Sequence, residues 1–152
     1  MSIITREAIA SDIPAISELF DLYRQFYEQE PDPQLALEFI TERLKNQESV
    51  ILVAESDQSS LIGFCQLYPT FCSVEAKPIF SLYDLFVIES ARKSGVGNLL
   101  LQAAEAKAAN SGKARMDLTT AKTNFAAQSL YESLGWIRDD IFFAYNRKVV
   151  QP

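Results

Sequence analysis

The sequence predicts an α/β domain around one mixed, largely antiparallel sheet, and three observations carry this. Apolar runs of strand length alternate with stretches of helical period in the order β-α-α-β-β-β-α-β-α-β-β. Turn-forming residues, Asp57-Gln58-Ser59-Ser60, separate two consecutive strands in the middle of the chain, the mark of a hairpin. A strand, a glycine-bearing loop, a helix and another strand then follow around residues 95–111, the mark of a crossover. The 152 residues fit a single domain over 1–152 with a real core.

Each element has its own signal. Residues 3–8 form a short apolar run, the first strand. Ser11 or Asp12 caps the first helix, with Pro14 in its first turn. Ile13, Ile16, Leu19, Phe20, Tyr23, Phe26 and Tyr27 follow helical spacing and define its buried face. Tyr23, Phe26 and Tyr27 fit core packing; they also fit the wall of an acceptor site, with Glu28, Glu30 and Asp32 nearby as acidic attractors. Pro31 and Pro33 break this helix, and a second one spans residues 34–47 with Leu35, Phe39, Ile40 and Leu44 inward. Residues 50–55 and 61–71 are the hairpin strands, with Gly63 as a bulge signal. Residues 80–87 are an apolar strand and 95–111 a helix, with Val96, Leu99, Leu100, Ala103 and Lys107 on one stripe and Gly112 at its C-terminal cap. Residues 114–120 read as a strand. Asn124 caps a helix that places Ala127, Leu130, Tyr131 and Leu134 on one face and ends at Gly135. Residues 136–137 and 141–150 read as closing strands.

Composition narrows the function. The net charge is −6, which opposes nucleic-acid binding, because that needs a basic face to displace counterions. It suits a cationic partner such as an amine. No apolar run reaches the roughly 18 residues of a membrane span, and the start carries no long apolar segment of a secretory signal. Cys65 and Cys72 fit neither a C-x-x-C motif nor a disulfide framework, so two free thiols in a cytoplasm are expected. With no histidine, Ser-His-Asp and Cys-His catalysis and His-containing zinc sites are excluded. A general acid or base must be Asp, Glu, Tyr, Lys, Cys or water.

The densest stretch is residues 80–104. A strand feeds the loop Arg92-Lys93-Ser94-Gly95-Val96-Gly97, which opens a helix. A helix N-terminus has unpaired N–H groups and roughly half a positive charge. Glycine lets a phosphate come close. R-x-x-G-x-G alone is a weak signal and also fits a tight strand-to-helix turn. No Gly-Lys-Ser/Thr follows, so it is not a Walker loop, and no third glycine makes it a dinucleotide fingerprint. Asp84 lies within the apolar strand and, by strict alternation, shares a face with Phe80, Leu82 and Phe86. A lone buried carboxylate needs a partner or a raised pKa, and a raised pKa suits a base acting on an amine.

Two segments together resemble the GNAT superfamily of acyl-CoA-dependent N-acyltransferases. D-L-F-V at residues 84–87 followed by R-x-x-G-x-G from Arg92 to Gly97 is similar to its cofactor segment. N-x-x-A-x-x-L-Y-x-x-L-G-W, from Asn124 to Trp136, is similar to its second segment. With YRQFYEQEPD at residues 23–32, the chain most resembles a subgroup of polyamine-type and small histone acetyltransferases. The resemblance implies a seven-stranded sheet flanked by four helices, and acetyl-CoA as cofactor. It implies that Leu85, Phe86 and Val87 pair with the pantetheine arm. Arg92, Lys93, Ser94, Gly95, Val96, Gly97 and Asn98 would hold the pyrophosphate, and Asn124 would touch the arm. Tyr131 would protonate the departing thiolate. Tyr23, Tyr27, Glu28, Tyr83 and Asp84 would line the acceptor side, with no metal.

The polyamine-type relatives carry a glutamate, a proposed base, immediately before the strand aspartate; here Tyr83 occupies that position. Asp84, an acid of the 28–32 loop or a water chain remain the candidate bases. The expected activity is acetyl transfer to a small amine or polyamine by direct attack. Alternatives are a protein or peptide amine as acceptor, a catalytically weak CoA-binding regulatory domain, or another anion-binding α/β domain. The resemblance also implies a homodimer, paired through an edge such as residues 141–150.

Overall fold

The computed structural model describes residues 2–152, which divide into two compact units at the Thr119–Thr120 junction. The first holds β1 (Ile3–Glu7), α1 (Ile13–Phe26), α2 (Pro33–Lys45), β2 (Val50–Ser56), β3 (Leu61–Cys72), β4 (Lys77–Val87), α3 (Val96–Asn110) and β5 (Met116–Asp117). The second holds α4 (Phe125–Ser133).

The five strands form one sheet in sequence order. The β1–β2, β2–β3 and β3–β4 pairs are antiparallel, and β5 runs parallel to β4 after the α3 crossover. On one face α1 and α2 enclose a core of Ile16, Phe20, Ile40, Ile51, Val53 and Phe64. On the other, α3 buries Val96, Leu100, Leu101, Ala104 and Ala108. Gly63 sets how close α3 comes. A Cβ there would lie 2.9 Å from the Phe86 carbonyl oxygen and 3.3 Å from both Val96 and Leu100.

The helix starts are set by polar side chains. Asp12 occupies the N-cap of α1, but its carboxylate reaches back to the Ile9 amide (2.8 Å) and to both Arg6 terminal nitrogens (2.7 and 2.9 Å). Arg6 also binds Glu55 on β2 at 2.9 Å. Asp32 caps α2 by accepting from the Leu35 amide. Its own amide donates to buried Asp21 of α1 at 2.9 Å, which fixes the turn between the two helices.

Two β-bulges shift the register. In β3, Ile62 is the extra residue between the Ala54–Gly63 and Glu55–Leu61 pairs. In β4 it is Tyr83, between Leu67–Leu82 and Gln66–Asp84. The second bulge corrects the alternation expected for Asp84. Gln66 and Leu67 point to opposite faces, so their partners Asp84 and Leu82 do too. Asp84 shares the α1 face with Phe86, but not with Leu82 and Phe80.

Several other expectations are corrected. Five strands, not seven, occur among the described residues, and the strand expected over 114–120 is reduced to Met116–Asp117. Residues 136–137 and 141–150 are not strands. A run of β-formers becomes a strand only against a partner edge, which local composition does not specify. In α3 the buried stripe runs through Val96, Leu100, Leu101, Ala104 and Ala108, leaving Leu99 partly exposed; Ala103 and Lys107 fall beside it. Leu35, Phe26 and Tyr27 are exposed because both helices outrun the core at these ends.

Gly63→Ala should lower stability by about 1–3 kcal/mol, since overpacking here meets backbone rather than a movable side chain. Thermal melts should show a fall of about 2–4 °C per kcal/mol.

Candidate active site

Asp84 is the buried acid of β4, only 5% exposed. Its Oδ2 accepts from Gln66 Nε2 at 2.8 Å, and Gln66 Oε1 accepts from Ser49 Oγ at 2.7 Å. The Tyr23 hydroxyl lies 3.4 Å from the Tyr83 carbonyl oxygen and also bonds Asp84. Burial pushes the Asp84 carboxyl above the usual carboxylate range, while the Gln66 and Tyr23 bonds act in the opposite direction. Burial first, and then Asp84, push Tyr23 well above the usual phenol value and Tyr68 up to about 12. Both tyrosines therefore stay protonated and remain donors. Burial likewise pushes the Cys65 thiol up to about 12, so it is no nucleophile.

Aromatic rings surround this acid. Tyr68 and Tyr83 meet edge to face at 5.7 Å, and Tyr23 and Tyr27 at 5.2 Å. Tyr23 also packs on Phe64 and Phe86 at 5.9 and 6.0 Å. Tyr83 is largely exposed. Glu28 is exposed in the turn after α1 at φ 64°. Asp32, exposed like Glu28 and Glu30, caps α2 through one carboxylate oxygen.

Among the described residues, no strand pairs with the far half of β4 on its β5 side. β5 pairs only with Phe80 and Ser81. Ile88 donates to Ile62 on β3, so the Phe86 amide faces β3, while those of Leu85 and Val87 face the side left unpaired. The Val87 carbonyl confirms this direction by accepting from Arg92 Nε at 2.9 Å. A ligand with alternating amides can continue the ladder there.

The loop after β4 exposes backbone amides at the start of α3. A short helical turn, Glu89–Ala91, leads into it, with the Ser94 hydroxyl donating to the Ala91 carbonyl. Lys93 (φ 64°) and Gly95 (φ 86°) turn the chain sharply into α3. Gly95 carries no side chain that could cover the helix start. The first intrahelical bond runs from the Leu99 amide to the Gly95 carbonyl, so the amides of Val96, Gly97 and Asn98 precede it. These features fit a pyrophosphate. The Arg92 side chain packs back on α1 and β4: its guanidinium lies 5.5 Å from the centres of both the Phe26 and Phe86 rings.

Asn124 and Tyr131 belong to the second unit. Asn124 caps α4, its Oδ1 accepting from the Ala127 amide at 3.2 Å. Tyr131 is half-buried and lies 6.0 Å from Trp136, ring centre to ring centre. No residue of α4 is fully buried, but Ala127, Leu130, Tyr131 and Leu134, the face expected from the spacing, are all half-buried.

Thus Leu85, Phe86, Val87 and the 92–98 loop are continuous, and Tyr23, Tyr27, Tyr83 and Asp84 adjoin one another. Sequence reasoning missed Gln66 and Ser49. The available signal was a glutamine inside the apolar run LIGFCQLYPTFC, on a strand neighbouring that of Asp84.

The model of the acetyltransferase (GNAT) family matches residues 15–136. An uncharacterized N-acetyltransferase, YhfO of Bacillus subtilis (strain 168), is 48% identical over 140 residues, covering 92% of this chain and 93% of YhfO. A crystal structure of a probable acetyltransferase superimposes with TM-score 0.89 at 36% identity, over the full length of both chains. Aminoglycoside N-acetyltransferase AAC(6')-Iy, solved in complex with CoA, shares the fold at TM-score 0.81 and 19% identity, over 97% of this chain and 96% of that one.

An acid whose folded pKa lies above its unfolded value stabilises the fold when protonated, and that contribution is lost as pH rises through the folded value. Burial raises Asp84, so its ionisation opposes folding above the usual carboxylate range. Asp84→Asn should therefore melt higher than the parent at pH 8, with the difference vanishing towards pH 4. Parallel melts across that range check this, and a pH-independent difference would contradict it.

Proposed function

The chain belongs to the acetyltransferase (GNAT) family, and on that premise we propose that it transfers an acetyl group from acetyl-CoA to a small primary amine, a polyamine or related cation. The observation that carries the acceptor reading is a buried carboxylate ringed by tyrosines, in a chain of net charge −6. Aromatic faces and a carboxylate attract an ammonium ion. The resemblance to polyamine-type acetyltransferases supports the same class. The family match spans both compact units, which supports one catalytic domain over residues 1–152.

The residues divide the work as follows. The amides of Val96, Gly97 and Asn98 bind the pyrophosphate, with Lys93, Ser94 and Gly95 shaping the turn and Arg92 bracing Val87. Leu85 and Val87 offer edge amides to the pantetheine arm, and Phe86 anchors their strand in the core. Bound there, acetyl-CoA supplies an activated thioester. Tyr23, Tyr27 and Tyr83 flank the acceptor, Glu28 adds charge at the entrance, and Asp84 takes the ammonium proton. An amine of this kind has a reference pKa near ~10.4 and needs such a base. Asn124 and Tyr131 take their roles from the matched second segment: contact with the arm, and proton donation to the leaving thiolate.

The exposed apolar side chains of Ile141, Phe142, Phe143, Tyr145, Val149 and Val150 support a homodimer. Two free cysteines fit a reducing, cytoplasmic setting. Among the described residues no helix is long and apolar enough to cross a membrane.

Thiol release from acetyl-CoA should appear with at least one of a panel of diamines, polyamines, amino acids and basic peptides. Tyr131→Phe should lower kcat by about 10²-fold or more. A protein that binds CoA, releases no thiol with any amine and is indifferent to Tyr131→Phe would be a regulatory CoA-binding domain. Preference for basic peptides would instead make the acceptor a protein amine.

A further inference from the structure

The geometry points to Gln66, oriented by Ser49, as a positioning residue that engages one oxygen of Asp84 and leaves the other to take the acceptor's proton. This rests on the acetyl-transfer reading of the site.

Gln66 is fully buried, in mid-sheet, and is bonded at both ends of its amide. An amide has a donor end and an acceptor end. The Ser49 hydroxyl donates to Oε1, so the NH2 end faces Asp84. Asp84 Oδ2 accepts that N–H at 2.8 Å. A proton placed on Oδ2 would confront the N–H donor, so protonation falls to Oδ1. When the acceptor's ammonium gives up a proton, its N–H bond breaks and an O–H bond forms at Oδ1. Asp84 becomes neutral and then returns the proton to solvent.

Ser49 matters because an amide can rotate end for end. It lies half-buried between α2 and β2, reaching the site from outside the sheet. Without its hydroxyl, Gln66 can turn Oε1 towards Asp84, which favours the protonated carboxyl. The other titratable groups acting on or feeling Asp84 are Tyr23 from α1 and Tyr68 and Cys65 from β3, with Tyr83 of β4 acting through Tyr23 and Tyr68. Tyr27 adjoins Tyr23, and Arg43 and Glu48 act through Tyr68. Tyr23 reaches Asp84 through a hydroxyl, which can donate or accept and so suits either protonation state, whereas the two ends of an amide differ. The Gln66 amide is therefore the group whose orientation decides which oxygen is engaged.

The test uses the full chain and two readouts. A carbon-13 titration of the Asp84 carboxyl needs no turnover, and the acidic limb of kcat/KM against pH follows the acetyl-transfer reaction. Gln66→Met should move both midpoints upward by about one pH unit or more. Ser49→Ala should move them in the same direction by less, and activity should recover at high pH in both variants. An unmoved carboxyl midpoint in a folded Gln66→Met protein overturns the inference. If that variant does not fold, Ser49→Ala decides: an upward shift upholds the inference and an unmoved midpoint overturns it. A wild-type protein without acetyl transfer to any amine defeats the functional reading, while the carboxyl titration still decides this one.

Discussion

One extra residue in β4 decides where its acid points. Tyr83 forms a bulge between two register pairs, and everything after it in the strand faces the opposite way from simple alternation. In a regular strand that kept Tyr83 in the alternation, Asp84 would share a face with Leu82, away from Tyr23. With the bulge, Asp84 meets Tyr23 and Gln66, which Ser49 holds from behind, on the α1 face. A bulge also twists and bends its strand. Here β4 keeps its β5 partner only ahead of the bulge, at Phe80 and Ser81, and among the described residues no strand pairs with it on that side beyond the bulge. The acid and the unpaired edge thus lie together on the same side of the bulge along the strand.

The rest of the first unit stabilises this arrangement from both faces. Gly63 admits α3 close to the sheet, and so brings the amide-bearing start of α3 next to the end of β4. Phe86 and Phe64 tie the functional half of β4 to α1 through Phe20 and Tyr23. Asp21 holds the α1–α2 turn through the Asp32 amide, which steadies the aromatic end of α1. Arg92 braces the exit of β4 by bonding the Val87 carbonyl and lying over Phe26 and Phe86. These contacts keep an unfavourably buried carboxylate in place, an example of local cost offset by surrounding packing.

Much of this was legible in the sequence, and the failures share a cause. Helix caps, glycine stops and the hairpin turn are local signals: Asn124, Gly112 and the stretch around Ser59 behave as read. The family-bearing loop at Arg92–Gly97 was legible as strand, turn and helix start. What failed depends on pairing between distant segments. The bulge at Tyr83 follows from registration against Gln66, and the Gln66–Asp84 contact joins residues 18 apart in the chain. Residues 141–150 have strand-like composition but no ladder. The stripe on α3 shifted because the sheet, rather than the helix, determines which turn meets Gly63.

The central claim is that β4 beyond the bulge presents the Leu85 and Val87 amides as a free edge to the cofactor's arm. Residue-resolved amide hydrogen exchange tests it most directly. In the free protein Leu85 and Val87 should exchange quickly, while Phe86 and Ile88, bonded to β3, exchange slowly. Adding CoA should slow Leu85 and Val87, together with Val96, Gly97 and Asn98. Slow exchange at Leu85 and Val87 before CoA is added, or CoA binding that leaves all five amides unchanged, would contradict the account.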